Sequence, residues 1–344
     1  MARRKPAKNV ATVRTDRGRG MLLLSDDVIQ RELTMEKVID LVEEAFTADA
    51  RGRAITFPAI VDYVGKAHAH FGIKSGYLDL AREVLGLKAG GYWFENQARH
   101  GLPNHRATML LINPDTGEAL AVMPANTITR LRTAAAGAVA ARHLARQDAT
   151  TVAVVGTGEQ AHAQLEALRF IRNITKVRVW GRTPAAVASY VAAWGGRDID
   201  VRAAESLADA LAESDIVVTT TPSKSAIVLD RWIRPGTHIN AIGSDGEGKR
   251  ELDPVLIRRA KFVADKASQS RTIGELQQLS PDPSQDRPLL HAELGQICAG
   301  LRVGRENREE ITIFDSSGVS FQDLVVADYL VRHARANGLG QEIW

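Results

Sequence analysis

The fold is decided at Val152-Ala-Val-Val-Gly156-Thr-Gly158-Glu159-Gln160-Ala161. An apolar, β-branched run ends on a Gly-x-Gly-x-x-Ala pattern, and a helical stretch carrying Ala163, Leu165 and Leu168 follows. Each residue type has a physical reason: Gly156 permits a tight turn, Gly158 lets a pyrophosphate approach the backbone, and small Ala161 lets helix and strand pack closely. Glu159 and Gln160 open the helix, whose unpaired N–H groups and positive dipole end face the phosphates. With its strand before it and its helix after it, the motif reads as a dinucleotide-binding turn.

From Thr150 onward the chain alternates. Strands are predicted at 150–155, 176–181, 198–203, 215–221, 237–242 and 261–265, with helices at 159–173, 183–194, 205–213 and 253–260. This rhythm predicts a parallel sheet covered on both faces, a Rossmann arrangement. Cofactor choice is read at the tip of the second strand. An acidic residue there would accept from the ribose hydroxyls of NAD, whereas Trp180-Gly-Arg182-Thr183 has none. Arg182 with Thr183 suits a 2′-phosphate, so NADP(H) is favoured over NAD(H).

Upstream the pattern is mixed. A helix is predicted over 34–51, β-like pieces at 59–63, 69–74, 85–90 and 106–113, a hairpin turn at Pro114-Asp-Thr-Gly117, a strand at 118–123 and an Ala-rich helix over 128–146. A last strand at 311–315 and a helix over 322–336 lie outside the alternating block, so this ending is expected to fold back on the first half. At 344 residues the chain is long enough for two domains.

Composition narrows the function classes. No apolar run approaches the roughly 18 residues of a membrane span, so no membrane role is expected. Lys and Arg number 44 against 41 Asp and Glu, yet Arg3, Arg4, Lys5, Lys8, Arg14, Arg17 and Arg19 crowd the first twenty residues against Asp16 alone. The rest is mildly acidic, which argues against nucleic acid as a partner. The single Cys298 excludes an intrachain disulfide and points to the cytoplasm. His68, His70 and His105 lack metal-ligand spacing, so no metal is expected.

Lys88 and Arg132 fall in apolar or Ala-rich segments. A cation buried there costs several kcal/mol unless paired, so each needs a partner carboxylate or an anionic substrate. Asp245 comes after a buried strand at the carboxyl edge of the parallel sheet, where open α/β sheets bind ligands; it reads as an acid/base or as a turn cap. Glu247, Lys249, Arg250 and Glu251 read as mostly surface charges.

Six stretches together resemble the ornithine cyclodeaminase and mu-crystallin family: 85–93, 102–111, 129–135, the glycine motif, 243–252 and 314–324. The resemblance implies a Rossmann domain, taken as 147–315, and a mixed α+β substrate-binding and dimerisation domain built from both chain ends, 21–146 and 316–344; the charge pattern marks 1–20 as a basic flexible tail. It also implies a homodimer. Lys88 then matches the family's substrate-contacting lysine, Arg132 its carboxylate-binding arginine and Asp245 its catalytic aspartate; Thr133, Thr220 and Thr221 join the cofactor-binding set. Stretches 88–93, 245–254 and 267–277 look most like the iminosuccinate reductase branch, which forms aspartate from an imine. Two departures stand out: Met123-Pro-Ala-Asn126 replaces Met-Asp-Gly-Asn, and no arginine occurs in 54–72. The implied activity is hydride transfer between NAD(P)H and the α-carbon of a small imino acid. Rival readings are an ornithine or lysine cyclodeaminase that recycles its cofactor and a crystallin-like binder of NADP without turnover.

Overall fold

The structure, a computed structural model, describes residues 20–65, 69–279 and 289–343. The basic tail therefore lies, apart from Gly20, outside the described residues. Two large sheets organise the rest. The first runs Gln341–Ile343, Met21–Leu23, Ala119–Pro124, His105–Ile112, Glu83–Trp93, Ala69–Asp79 and Ala54–Thr56, with Ile60–Val64 also paired to Ala69–Asp79. It is antiparallel except where Met21–Leu23 meets Ala119–Pro124. The turn at 114–117 forms as expected: Gly117 takes φ +79° and Asn113 N–H donates to the Glu118 carbonyl.

Strand period sets what this sheet buries. Along Glu83–Trp93, Val84, Gly86 and Lys88 point to the helix-covered face while Leu85 and Leu87 point away. The covering helices are Met35–Ala50, Asn126–Leu144 and Ser320–Asn337. Met35–Ala50 starts where Thr34 accepts the Lys37 N–H, and it buries Val38, Ile39, Val42, Ala45 and Phe46. Phe46 meets Phe321 edge-on at 5.4 Å, joining it to the C-terminal helix.

The second sheet is parallel throughout, in the order Asp200–Ala203, Lys176–Trp180, Thr151–Val155, Ile216–Thr219, His238–Ala241, Thr312–Asp315, Lys261–Ala264 and Leu290–Glu293. The late strand Thr312–Asp315 is an interior strand here, slotted between His238–Ala241 and Lys261–Ala264; only the chain beyond Asp315 returns to the first sheet. Between the two sheets runs Asn126–Leu144, buried at every position from Leu131 to Ala141. Such a helix shows no apolar stripe because all its sides are inside. Asn240 on the parallel sheet donates to the Gly137 carbonyl at its middle. No helix among the described residues is long and apolar enough to cross a membrane.

Candidate active site

Gly156 and Gly158 differ in what they do. Gly156 adopts φ +106° against Thr220, a conformation that a side chain would strain. Gly158 has ordinary angles and caps the helix Glu159–Ile171; a Cβ there would meet nothing within 4 Å. Open space therefore adjoins the helix start, where the N–H groups of Glu159 and Gln160 have no partner among the described residues. Ala161 is fully buried, as close helix-to-strand packing requires. These features fit a pyrophosphate. Thr220 donates to the Val155 carbonyl, and Arg182 and Thr183 lie exposed past the second strand.

The cradle touches the helix that carries Arg132. Gln160 reaches the Arg130 carbonyl at 3.5 Å, Gln164 donates to the Thr133 carbonyl at 3.0 Å, and the Thr133 hydroxyl turns back to the Thr129 carbonyl. One turn thus joins the glycine motif to the cationic residues.

Lys88 and Arg132, 8% and 6% exposed, share one carboxylate. Lys88 donates to both oxygens of Asp323 at 2.9 Å and to Thr129 at 3.1 Å; Arg132 donates through Nε to Asp323 at 3.1 Å and through Nη1 to Gln322 at 2.9 Å. The partner that a buried cation requires is therefore Asp323, on the C-terminal helix. Burial, opposed by Asp323, pushes the Lys88 amine down to about 7. Burial also raises Asp323, but the adjacent Arg132 and Lys88 charges outweigh it and hold that carboxyl below its usual range. Removing Asp323 would leave two cations facing each other away from water, a loss on the order of 3–5 kcal/mol.

Two further residues face this cluster. Lys74, directly across from Lys88 in the strand register, donates to the carbonyls of Ser317 and Gly318. His105 is pushed down to about 4 by burial and then by the Lys88 and Arg132 charges, so it is neutral near pH 7. Neither is legible as a site residue from sequence, since only the register brings Lys74 and His105 onto the Lys88 face.

Asp245 stands past the strand His238–Ala241, its side chain 53% exposed and paired with Lys249 four residues on. Its charge acts on His70, Lys74 and His105, which puts it over the same face of the first sheet. Among the described residues its carboxylate takes that lysine rather than a main-chain N–H, so it is not a turn cap.

Glu251 corrects the reading of 247–251 as surface charge, being wholly buried. It accepts from the Thr219 hydroxyl, from the N–H and hydroxyl of Thr221, and from the Gly243 N–H. One carboxylate thereby fixes two loops at the carboxyl edge, including the one leading to Asp245. Beneath it Glu275 accepts from the N–H groups of Glu251 and Leu252 and is pushed up to about 8 by burial and then by the Glu251 charge. Among the described residues one group could geometrically gather a metal ion, Glu43, His143 and Cys298, but Glu43 is already paired with Arg142 and His143.

Comparison with known proteins agrees with this architecture. Residues 19–338 match the family described as the ornithine cyclodeaminase/mu-crystallin family. The chain is 37% identical to the iminosuccinate reductase of Paracoccus denitrificans, covering 94% of this chain and 99% of that one. An archaeal alanine dehydrogenase dimer with bound NAD superposes with a TM-score of 0.88 at 36% identity, over 94% of this chain and 99% of that one. The Δ1-pyrroline-2-carboxylate reductase of Thermococcus litoralis, in complex with NADH and L-proline, gives 0.87 at 34% identity over 94% and 100%. With its Rossmann-type parallel sheet, its second, mixed sheet and a match over nearly its whole length, the chain belongs to the ornithine cyclodeaminase/mu-crystallin family.

Proposed function

We propose that this chain is an NAD(P)H-dependent reductase of a small imino acid, adding hydride to the imine carbon. The observation that carries this reading is the junction of cradle and cations: Gln160 of the glycine motif is bonded two residues from Arg132, whose guanidinium keeps N–H groups uncommitted after Asp323 and Gln322. The names of the relatives, reductases and dehydrogenases of imino and amino acids, support the reaction class.

In this reading Gly156, Gly158, Glu159, Gln160 and Ala161, with Thr133, Thr220 and Thr221, hold the nicotinamide cofactor, which supplies hydride when bound. Arg132 takes the substrate carboxylate bidentately, while Asp323 and Lys88 lock the guanidinium in place. That anchor sets the imine carbon in attack geometry. Asp245 relays a proton from solvent to the imine nitrogen as the carbon gains hydride, so C=N becomes CH–NH. Arg182 and Thr183 support a preference for NADP(H), beside relatives whose structures hold NAD or NADH.

The two sheets support a division into a Rossmann domain, 147–315, and a substrate domain, 21–146 with 316–344; in this reading the protein works in the cytoplasm as a homodimer. Iminosuccinate, yielding aspartate, is the favoured substrate. Replacing Asp245 with Asn keeps size but removes the transferable proton. The variant should lose about 10²- to 10⁴-fold in kcat while binding cofactor normally. Near-normal kcat on the best imine, or loss of the fold, contradicts this role.

A further inference from the structure

Lys74 is placed as though for a ligand. It opposes Lys88 across the strand pair Ala69–Asp79 and Glu83–Trp93, an arrangement that repels unless an anion intervenes. Lys88 and Arg132 both contact Asp323; Lys74 does not. Its amine is bonded instead to two neutral main-chain carbonyls, of Ser317 at 3.0 Å and Gly318 at 2.7 Å. An ammonium has three N–H groups, so one is left over among the described residues. Asp245, Asp323 and Asp265 act on Lys74 only at longer range, for Asp245 accepts from Lys249, Asp323 from Lys88 and Arg132, and Asp265 from Gly318 N–H and Ser317.

Gly318 links this amine to Arg132. Its φ is +78°, and a Cβ there would lie 2.6 Å from Arg132 Nη1. The guanidinium thus packs on the very residue whose carbonyl holds Lys74. Two cationic heads with uncommitted donors flank one glycine. A substrate with a single carboxylate engages one of them.

Resting on the imine-reductase reading, we infer that Lys74 is a specificity-determining residue that binds a second carboxylate on the substrate's side chain. The preferred substrates are then short two-carboxylate imino acids, with the α-carboxylate on Arg132 and the distal one on Lys74. Lys88, held by Asp323 and Thr129, positions Arg132 rather than reading the side chain.

The test compares wild type, Lys74→Met and Lys74→Arg on the imines formed from oxaloacetate with ammonia and from pyruvate with ammonia. Wild type should prefer the two-carboxylate imine at least tenfold in kcat/KM. Lys74→Met should cut that preference at least tenfold, mainly through KM, and Lys74→Arg should restore most of it. Equal losses on both imines, or a wild-type preference for the pyruvate-derived one, overturn the inference. Calorimetric titration with L-aspartate and L-alanine, on protein saturated with oxidised cofactor, reads the same contact without turnover. Lys74→Met should weaken aspartate at least tenfold and alanine much less; equal effects overturn the role of Lys74. Absence of reduction of either imine by wild type instead overturns the reaction reading, and the titration alone then decides Lys74.

Discussion

In the proposed reading, Gly158 and Arg182 divide cofactor recognition between a missing side chain and a charged one. Because a Cβ at Gly158 meets no protein atom, Gly158→Val should fold and yet fill the space beside the helix N-terminus. It should weaken both nicotinamide cofactors at least 100-fold in a fluorescence titration; unchanged affinity would remove the motif from the cofactor site. Arg182→Asp, titrated alongside, should shift the NADPH-to-NADH preference toward NADH, since a carboxylate accepts from ribose hydroxyls and repels a phosphate. Lys88 and Arg132 can be singled out from sequence because charge in an apolar segment demands a partner. Asp323 cannot, lying 191 residues beyond Arg132 and meeting it only through the return of the C-terminal helix. Glu251 escapes for a related reason: amid Glu247, Lys249 and Arg250 it looks like solvated charge, and only the short strand Arg250–Leu252 turns it inward.

At the scale of elements, periodic segments and apolar runs are legible in the sequence, and the pairing of short strands far apart along the chain is not. Met35–Ala50 and the glycine-motif unit announce themselves by spacing and capping. The pairs Lys224–Val228 with Arg250–Leu252, and Lys261–Ala264 with Leu290–Glu293, rest on three- to five-residue strands whose partners lie far along the chain. The strand Arg250–Leu252 also creates a pH effect. Glu275, bonded to its backbone, keeps its proton up to about pH 8 in the folded protein, whereas the unfolded chain releases it near its ordinary value of 4.5. The native state binds the extra proton between these values, so this group's contribution to stability falls as pH rises from about 4.5 to 8. Glu275→Gln removes the ionisation. Its unfolding free energy should gain on wild type with rising pH, by on the order of 1–3 kcal/mol at pH 8 relative to pH 5, read from denaturant titrations; parallel pH profiles would show that Glu275 ionises freely.

At the scale of the whole molecule, the described residues cover the first sheet on one face only. On the other, the register aligns Leu23, Val122, Leu110 and Leu87 across four strands, all half-buried, with Phe71 exposed alongside. Of the exposed large apolar side chains among the described residues, nine of thirteen lie between Ile55 and Leu102. A second copy seated there would bury that patch, and the alanine dehydrogenase it resembles is a dimer. Sedimentation should find wild type dimeric, and Leu87→Lys with Leu110→Lys should shift it to monomer with its circular dichroism retained; a monomeric wild type contradicts this face as the contact.

The measurement that bears most directly on the activity is the stoichiometry of cofactor consumption. Purified protein is given NADPH or NADH with oxaloacetate, pyruvate or glyoxylate and ammonia, and separately oxidised cofactor with ornithine or lysine. The expected result is one reduced cofactor oxidised per amino acid formed from a keto acid and ammonia. Ring closure of ornithine or lysine with ammonia release and no net change in cofactor, together with no reduction of any imine, would contradict it.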